Sequence, residues 1–291
     1  MALQAALHDY NAGTCIQYYR ALETRFTDRD MLCNLLPSAL LAKEIEVYLQ
    51  PRIALRKGLV SGFEALARWN LDGQVIAGDE IVCVAKQAGV VVELDRLMID
   101  EAIRLVASWN RVRRTTFGLS VNISSEFFMV QDAVSVIQKS LQQHEFTPSD
   151  LTLEVSQTGV FTGNDQTSAA LRTLRATGCR LSIDDFGFGS SSLADLQALP
   201  ADEIKIDPAL LRDLNEGESG AAILTALLQM ASKLKIDTVV EGVERNEQAD
   251  AIRKIGYPLA QGFLFGEPRP AVEWLADATY GNNPTTFEKT A

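Results

Sequence analysis

Short β-rich runs alternate with longer amphipathic segments along most of this chain, and this alternation restricts its fold more than any other feature. The β-rich runs cover residues 46–51, 60–69, 117–124, 151–156, 180–186, 203–207, 237–244 and 259–266. Helical patterns such as DRLMIDEAIRLVASWN separate most of them. Nearly continuous apolar strands that alternate with helices are typical of an α/β fold with a parallel sheet. About eight strands over about 240 residues favour a TIM-like (β/α)8 barrel over an open sheet.

The chain begins with a segment of a different kind. Its first residues show apolar side chains at helical spacing with charges between them, and the β-rich runs start only afterwards. We therefore expect an N-terminal helical segment before the barrel.

Polar residues recur at the carboxyl ends of the predicted strands. They are Glu64, Asn122, Glu154, Asp184, Asp185, Lys205, Glu241 and Gln261. In a barrel these ends meet at one mouth, where active sites are built. A single acid after a strand is commonly a helix N-cap. Several oxygen ligands and one lysine at the same mouth instead indicate a site for a hard cation, Mg²⁺ or Mn²⁺.

Two of these acids, Asp184 and Asp185, are adjacent in the stretch LSIDDFGFGS. Side chains alternate along a strand, so neighbours point to opposite faces. Like charges this close repel each other unless a cation, a proton or water screens them. The pair is therefore predicted to bridge two cations, which is the arrangement that clamps the attacking and leaving oxygens of a phosphoryl displacement. Lys205 would then hold, or help to deprotonate, the attacking water.

The composition excludes several classes of function. A net charge of −11 argues against binding to DNA or RNA, which needs lysine and arginine on phosphates. Two histidines argue against a histidine-rich metal site or a Ser-His-Asp triad. No apolar stretch reaches the roughly 18–20 residues of a membrane span, and no signal peptide is recognisable. The four cysteines are scattered without a CxxC pair, so a reducing, cytoplasmic location is predicted.

Seven motifs together carry a resemblance to a known family. They are EALARW at 64–69, VNIS at 121–124, LTLEVS at 151–156, IDDFGFGSSSL at 183–193, EIKID at 203–207, VVEGVE at 239–244 and QGFLFGEP at 261–268. In this order and spacing they resemble EAL domains, bacterial phosphodiesterases that open cyclic di-GMP (c-di-GMP) to linear pGpG. The resemblance extends over about residues 44–272, so we expect a barrel domain there, with residues 1–43 as an N-terminal helical segment and residues 273–291 as a C-terminal tail. It implies a TIM-like barrel whose first strand is antiparallel to the others.

The same resemblance implies roles for individual residues. It implies metal ligation by Glu64, Asn122, Glu154, Asp184, Asp185 and Glu241. It implies that the catalytic residues are Glu64, Lys205, Asp184 and Asp185. It implies substrate contacts from Gln50, Leu66, Arg68, Asp95, Glu267 and Pro268. Gln157 would steady the loop after the aspartate pair, and Gln261 would contact a metal ligand or a water.

The resemblance also implies cofactors and partners. We expect two ions, Mg²⁺ or Mn²⁺, with Ca²⁺ as an inhibitor, and a homodimer formed partly through residues 186–193. The stretch ALQAALHDYNAGTCIQYY at 2–19 is similar to the last helix and strand of a GGDEF domain, although an ordinary helical lead-in fits these residues equally well.

Four positions depart from the family pattern. Gln157 stands where EAL domains usually carry a second glutamate, and Phe188 and Ser190 alter the loop after the aspartate pair. Glu267 stands where Lys or Arg is frequent. Its carboxylate would either accept hydrogen bonds from a guanine edge or be a solvated acid of the loop.

These departures leave the function open between two classes. The predicted one is a metal-dependent c-di-GMP phosphodiesterase, because the inferred ligands and the lysine are all present. The alternative is a c-di-GMP receptor that does not cut the nucleotide and signals to a protein partner. A metal barrel acting on a sugar phosphate fits only if the motif series is a coincidence.

Overall fold

A computed structural model describes residues 29–156, 165–187, 201–212 and 218–276 of the chain. The strands are β1 (Ile45–Ala54), β2 (Leu59–Leu71), β3 (Gln74–Ile76), β4 (Gly118–Ile123), β5 (Leu151–Ser156), β6 (Arg180–Phe186), β7 (Glu203–Ile206), β8 (Asp237–Val240), β9 (Leu259–Gln261) and β10 (Arg269–Pro270). The helices are α1 (29–42), α2 (Gly78–Ala88), α3 (Val91–Arg113), α4 (Ala133–His144), α5 (Asp165–Ala176), α6 (Ala209–Arg212), α7 (Glu218–Leu234), α8 (Asn246–Ile255) and α9 (Ala271–Ala276). Short 3₁₀ turns cover Glu126–Met129 and Pro148–Asp150.

Eight strands close into a barrel in the order β1–β2–β4–β5–β6–β7–β8–β9, and β9 pairs with β1 to complete the ring. β1 is antiparallel to both of its neighbours, whereas the pairs from β2 to β9 are parallel. The predicted α/β barrel with an antiparallel first strand is therefore confirmed. The helical segment before it is confirmed over 29–42, while the similarity to a GGDEF domain falls outside the described residues. The exact domain limits stay a prediction.

A hairpin and a helix that the sequence analysis missed follow the second strand. β2 continues to Leu71 and pairs with β3 through a turn at Asp72 and Gly73, whose φ angles are 52° and 83°. Asp-Gly between two strands is a strong signal for this type of turn, so the hairpin could have been predicted from the sequence. α2 then returns the chain to the barrel.

Two strands end earlier than the sequence indicates. The runs at 237–244 and 259–266 were expected to be strands throughout, but β8 ends at Val240 and β9 at Gln261. Gly242 has a φ of 66°, and a Cβ there would lie 2.5 Å from Pro208 Cβ. The chain therefore leaves the extended conformation directly after Glu241, which places that carboxylate at the barrel mouth.

The barrel has an apolar outside and a polar inside. Outward-facing residues pack against the helices, as in the contacts of Phe63 with Trp109 and Trp274, whose ring centroids lie 4.9 Å and 5.4 Å away. Buried polar residues instead fill the interior. Within the described parts of the chain, no helix is both long and apolar enough to cross a membrane.

Candidate active site

Lys205 lies at the floor of the barrel mouth and is surrounded by carboxylates. Alternation along β7 turns its side chain inward, between the outward-facing Ile204 and Ile206, and leaves it 1% exposed. Its Nζ atom lies 2.7 Å from Glu154 Oε2 and 2.8 Å from Glu241 Oε1. Glu64 Oε1 and Asp184 Oδ1 each lie 3.3 Å away. These contacts come from strands β2, β5 and β6 and from the end of β8, so only the closed barrel can assemble them.

Electrostatics at this floor favour a charged lysine. Burial acts to lower the pKa of Lys205, but the surrounding carboxylates outweigh it and hold that pKa well above its ordinary value. Burial and the neighbouring Glu64 raise the pKa of Glu154 well above its ordinary value. Burial also opposes the charge on Glu64, yet Lys205 and the nearby amides leave the pKa of Glu64 lowered.

Two amide side chains bind Glu64 directly, and a third, that of Gln50, binds one of these two. Asn122 Nδ2 donates to Glu64 Oε1 at 2.8 Å, and Gln261 Nε2 donates to Glu64 Oε2 at 2.5 Å. Gln261 Nε2 also donates to Gln50 Oε1 at 2.8 Å, and Gln50 Nε2 donates to the carbonyl of Gly266 at 3.2 Å. The predicted site residues on β1, β2, β4 and β9 therefore form one connected hydrogen-bond network.

The aspartate pair does not follow the alternation expected from the sequence. Asp185 has a φ of 54°, its N–H donates to Asp184 Oδ1 at 3.0 Å, and the pairing of β6 with β7 shifts register between Ile183 and Phe186. This left-handed residue lets both carboxylates turn toward the mouth. One oxygen each of Asp184, Asp185 and Glu241 lie within 4.8 Å of one another.

The residues present fit divalent cations. Five carboxylates and the ammonium of Lys205 leave four formal negative charges at the mouth, which is the charge that two divalent cations would balance. Burial and neighbouring carboxylates raise the pKa of Asp185, and they raise the pKa of Glu241 to about 8. One oxygen of Glu154 is buried without a hydrogen-bond partner among the described residues. A donor set made of oxygen atoms, with unmet negative charge, is the one that Mg²⁺ and Mn²⁺ prefer.

A pocket of about 660 Å³ opens above these residues. Of the predicted substrate contacts, Gln50, Leu66 and Asp95 line it. Arg68, Glu267 and Pro268 are not among the residues that line it. The guanidinium of Arg68 is half buried, donates to the carbonyl of Ala67 at 2.8 Å and lies 5.7 Å from the Tyr48 ring. Glu267 is exposed, and it directly follows the Gly266 carbonyl that binds Gln50.

Asp95 forms a separate acidic group in the wall of the pocket. Its Oδ2 accepts hydrogen bonds from the backbone N–H of Ser124, at 3.2 Å, and from the Ser124 hydroxyl. Burial raises the pKa of Asp95 to about 7, although the Ser124 hydrogen bonds act in the opposite direction. Glu126 and Lys86, which are paired with each other, have smaller and opposite effects on it.

The pocket wall contains residues that the sequence analysis did not identify. They include Asp79, Val82, Lys86, Glu244 and Phe263. Asp79, Val82 and Lys86 come from α2, the helix that was missed, and the Phe263 side chain is 59% exposed. Phe263 stands two residues after Gln261, and an exposed ring beside a polar motif is visible only once the fold is known. Gln157 and most of the predicted dimer segment at 186–193 lie outside the described residues.

A family model for the EAL domain matches residues 34–268. This chain belongs to the EAL domain family. MucR of Pseudomonas aeruginosa, a bifunctional diguanylate cyclase/cyclic di-GMP phosphodiesterase, is 33% identical to this EAL-domain chain over 265 residues. That match covers 91% of this chain and 38% of MucR. The cyclic di-GMP phosphodiesterase NbdA of the same organism is 33% identical over 254 residues, which cover 87% of this chain and 32% of NbdA. The EAL-domain chain thus spans about a third of the length of the curated relatives it matches.

Solved structures show the same barrel. The PaMucR phosphodiesterase in complex with c-di-GMP superimposes with a TM-score of 0.78 and 32% identity, covering 84% of this EAL-domain chain and 99% of that chain. BlrP1 of Klebsiella pneumoniae, in a manganese and cyclic di-GMP complex, superimposes with a TM-score of 0.70 and 30% identity, covering 78% of this chain and 56% of that one. A calcium complex of BlrP1 gives the same values.

Proposed function

We propose that this EAL domain hydrolyses one phosphodiester bond of c-di-GMP, giving linear pGpG, with the help of two divalent cations. The observation that carries the proposal is the position of Lys205 among four carboxylates at the barrel mouth, next to Asp185 and beneath a pocket. The named activities of MucR and NbdA, and the c-di-GMP complex of PaMucR, support the same substrate.

We propose that the cations are held by Glu64, Asn122, Glu154, Asp184, Asp185 and Glu241. When bound, such ions supply an activated water at neutral pH and stabilise charge on the phosphoryl oxygens. Mg²⁺ or Mn²⁺ would serve, and Ca²⁺ would inhibit because it prefers more ligands at longer distances. The manganese and calcium complexes of BlrP1 support a requirement for a divalent metal.

The residues of the chain contribute positioning and charge. The buried ammonium of Lys205 donates hydrogen bonds at the floor of the mouth, where it would orient the attacking water. Asn122 and Gln261 fix the two oxygens of Glu64 by direct hydrogen bonds. Arg68 would bind a phosphate with its planar fork after its guanidinium leaves the Ala67 carbonyl. Gln50 and Asp95, both in the pocket wall, would contact the nucleotide.

The bond changes follow from the product. Water oxygen forms a new bond to phosphorus, and the bond from phosphorus to one ribose 3′ oxygen breaks. The attacking water loses a proton and the leaving 3′ oxygen gains one, so the product keeps a terminal 5′ phosphate, as pGpG requires.

The alternative receptor function is favoured by Gln157, Phe188 and Ser190, which depart from the family pattern at positions that the structure does not describe. A time course separates the two functions. Purified chain is incubated with c-di-GMP and either Mg²⁺ or Mn²⁺, and the nucleotides are separated by anion-exchange chromatography. Accumulation of pGpG that stops in EDTA supports the enzyme. Saturable c-di-GMP binding without formation of pGpG in either metal would contradict the enzyme function and support the receptor function.

We also propose a homodimer through residues 186–193. Sedimentation velocity of the chain, with and without c-di-GMP, tests it, and a monomer at all concentrations would contradict it.

A further inference from the structure

Arg52 is a buried cation inside the barrel that takes no part in the proposed hydrolysis. Its Nη2 donates to Glu203 Oε2 at 2.5 Å, and its Nη1 donates to the hydroxyl of Ser120. The Arg52 and Glu203 side chains are only 8% and 2% exposed. A buried ion pair of this kind rarely adds stability, since well-packed apolar residues in its place are often equally or more stable. Its presence in the barrel interior therefore calls for another explanation.

These contacts join three strands that are not neighbours. Arg52 is on β1, Ser120 on β4 and Glu203 on β7. In the closed barrel β2 separates β1 from β4, β5 and β6 separate β4 from β7, and β8 and β9 separate β7 from β1. One guanidinium thus connects three separate sections of the wall through the interior, in addition to the backbone pairing of the sheet.

Each of the three strands carries a site residue next to its contact with the guanidinium. The residues two positions closer to the mouth are Gln50, Asn122 and Lys205. Residues two apart on a strand share a face, so Arg52, Ser120 and Glu203 lie on the inner face directly beneath the site. Movement of any of these strands would move a site residue with it.

The inner wall beside β1 leaves room for this side chain. Arg52 pairs with Gly62 across β1 and β2, and Gly62 pairs with Gly118 of β4. A Cβ at Gly62 would lie 2.5 Å from the carbonyl oxygen of Gly118, so this position accepts no side chain without a shift of the backbone. Burial acts to lower the pKa of Arg52, but Glu203, Glu154 and Glu64 outweigh it and leave that pKa raised, so Arg52 interacts with two carboxylates of the candidate site.

We propose that Arg52 is a positioning residue for the candidate active site. Through Ser120 and Glu203 it sets the spacing of β1, β4 and β7, and thereby the spacing of Gln50, Asn122 and Lys205. The inference rests on the proposed function for the identity of the metal and nucleotide that these residues would bind.

A double substitution separates positioning from stability. Arg52→Met alone leaves the Glu203 carboxylate buried without its partner and should destabilise the fold, whereas Arg52→Met with Glu203→Leu removes both charges. The melting temperature of the double variant should lie within a few degrees of that of the wild type. Its Mn²⁺ affinity, measured by calorimetry without nucleotide, should nevertheless fall about tenfold, and kcat for c-di-GMP should fall more than KM rises.

Two further variants identify what the guanidinium contributes. Arg52→Lys keeps the charge but loses the planar fork that reaches two partners, so its Mn²⁺ affinity should lie between those of the wild type and the double variant. The matched control removes the exposed pair Arg180 and Asp237, which lie 2.6 Å apart at the first residues of β6 and β8. That control should bind Mn²⁺ like the wild type.

Wild-type Mn²⁺ affinity and kcat in a stable double variant would overturn the proposal and leave Arg52 as a space-filling residue. If the double variant does not fold, Arg52→Lys and Ser120→Ala give the same test, and unchanged Mn²⁺ affinity in both overturns it. Failure of the proposed function is a different result, namely no pGpG from the wild type. In that case the Mn²⁺ and c-di-GMP affinities of the wild type and the Arg52 variants still test the role of Arg52. A wild type that binds neither Mn²⁺ nor c-di-GMP would overturn both proposals.

Discussion

The ammonium of Lys205 lies 2.7 Å from Glu154 Oε2, and the two side chains are among the most deeply buried in the barrel interior. Lys205 comes from β7 and Glu154 from β5, with β6 and its aspartates between them. A buried charge of either sign is costly without its partner. Loss of either partner would therefore leave a buried charge at the barrel mouth without compensation.

Lys205→Met should destabilise the metal-free chain and make it more responsive to Mn²⁺. Loss of the ammonium leaves buried carboxylates uncompensated, which costs about 3–5 kcal/mol for a broken buried pair. Bound Mn²⁺ would replace part of the lost positive charge. Thermal unfolding with EDTA and with Mn²⁺ measures both effects. A variant whose melting temperature shifts with Mn²⁺ no more than that of the wild type would contradict this account.

Arg68→Ala should weaken c-di-GMP binding by about 1.5–3 kcal/mol, because a charge-assisted hydrogen bond to phosphate is lost. Calorimetry in Ca²⁺, which is expected to block turnover, measures the affinity. Arg104→Ala is the control, since Arg104 pairs with Glu101 on the surface of α3. Equal affinities of Arg68→Ala and the wild type would remove Arg68 from the binding site.

Removal of divalent metal should stop hydrolysis. We expect turnover in Mg²⁺ and in Mn²⁺, none in EDTA, and inhibition when Ca²⁺ is added, because Ca²⁺ takes more ligands at longer distances and would misplace the attacking water. Product formation over time in each metal checks this. Turnover in EDTA equal to that in Mg²⁺ would exclude the two-metal mechanism.

Asp95→Asn should change how stability depends on pH. Asp95 has a pKa of about 7 in the folded chain against 3.8 ordinarily. Between about pH 4 and pH 7 the folded chain keeps a proton that the unfolded chain has lost, so the contribution of Asp95 to stability falls as pH rises. Asn can still accept both Ser124 hydrogen bonds, which end on one oxygen.

The variant should therefore gain stability relative to the wild type on going from pH 5 to pH 8. Urea unfolding at each pH measures the free energy of unfolding of both proteins. The difference between the two proteins removes the effect of the other titrating groups. A stability difference that is the same at both pH values would show that Asp95 is ionised at neutral pH.

Gln157→Glu should raise the rate of hydrolysis by a few-fold to about tenfold, with a larger gain at low metal concentration. The family usually has glutamate here, and a charged acceptor forms hydrogen bonds about twice as strong as those of a neutral one. Firmer support for the loop after Asp185 would hold that ligand closer to its working geometry, and small misplacements at a reacting centre can cost about 100-fold. The number of bound metal ions should stay the same. If neither the wild type nor Gln157→Glu hydrolyses c-di-GMP, the receptor function replaces the enzyme function.

Local sequence patterns were enough to predict the barrel and the polar residues at its mouth. The alternation of β-rich and helical segments predicts the fold because each pattern is local, with a period of about two residues in strands and 3.6 in helices. The polar residues at strand ends, from Glu64 to Gln261, could be listed because parallel strands of a barrel present their carboxyl ends at one side. The Asp-Gly hairpin was also within reach of the sequence, although it was missed.

The contacts between these residues could not be predicted from local patterns. The left-handed backbone of Asp185 turns two adjacent aspartates toward Glu241, against the alternation of an ideal strand. Arg52 connects β1, β4 and β7 over separations of 68 and 151 residues. Such contacts depend on closure of the barrel and on space left by glycines such as Gly62. They form across the barrel interior between segments that are far apart in sequence, whereas propensity and periodicity describe only neighbours along the chain.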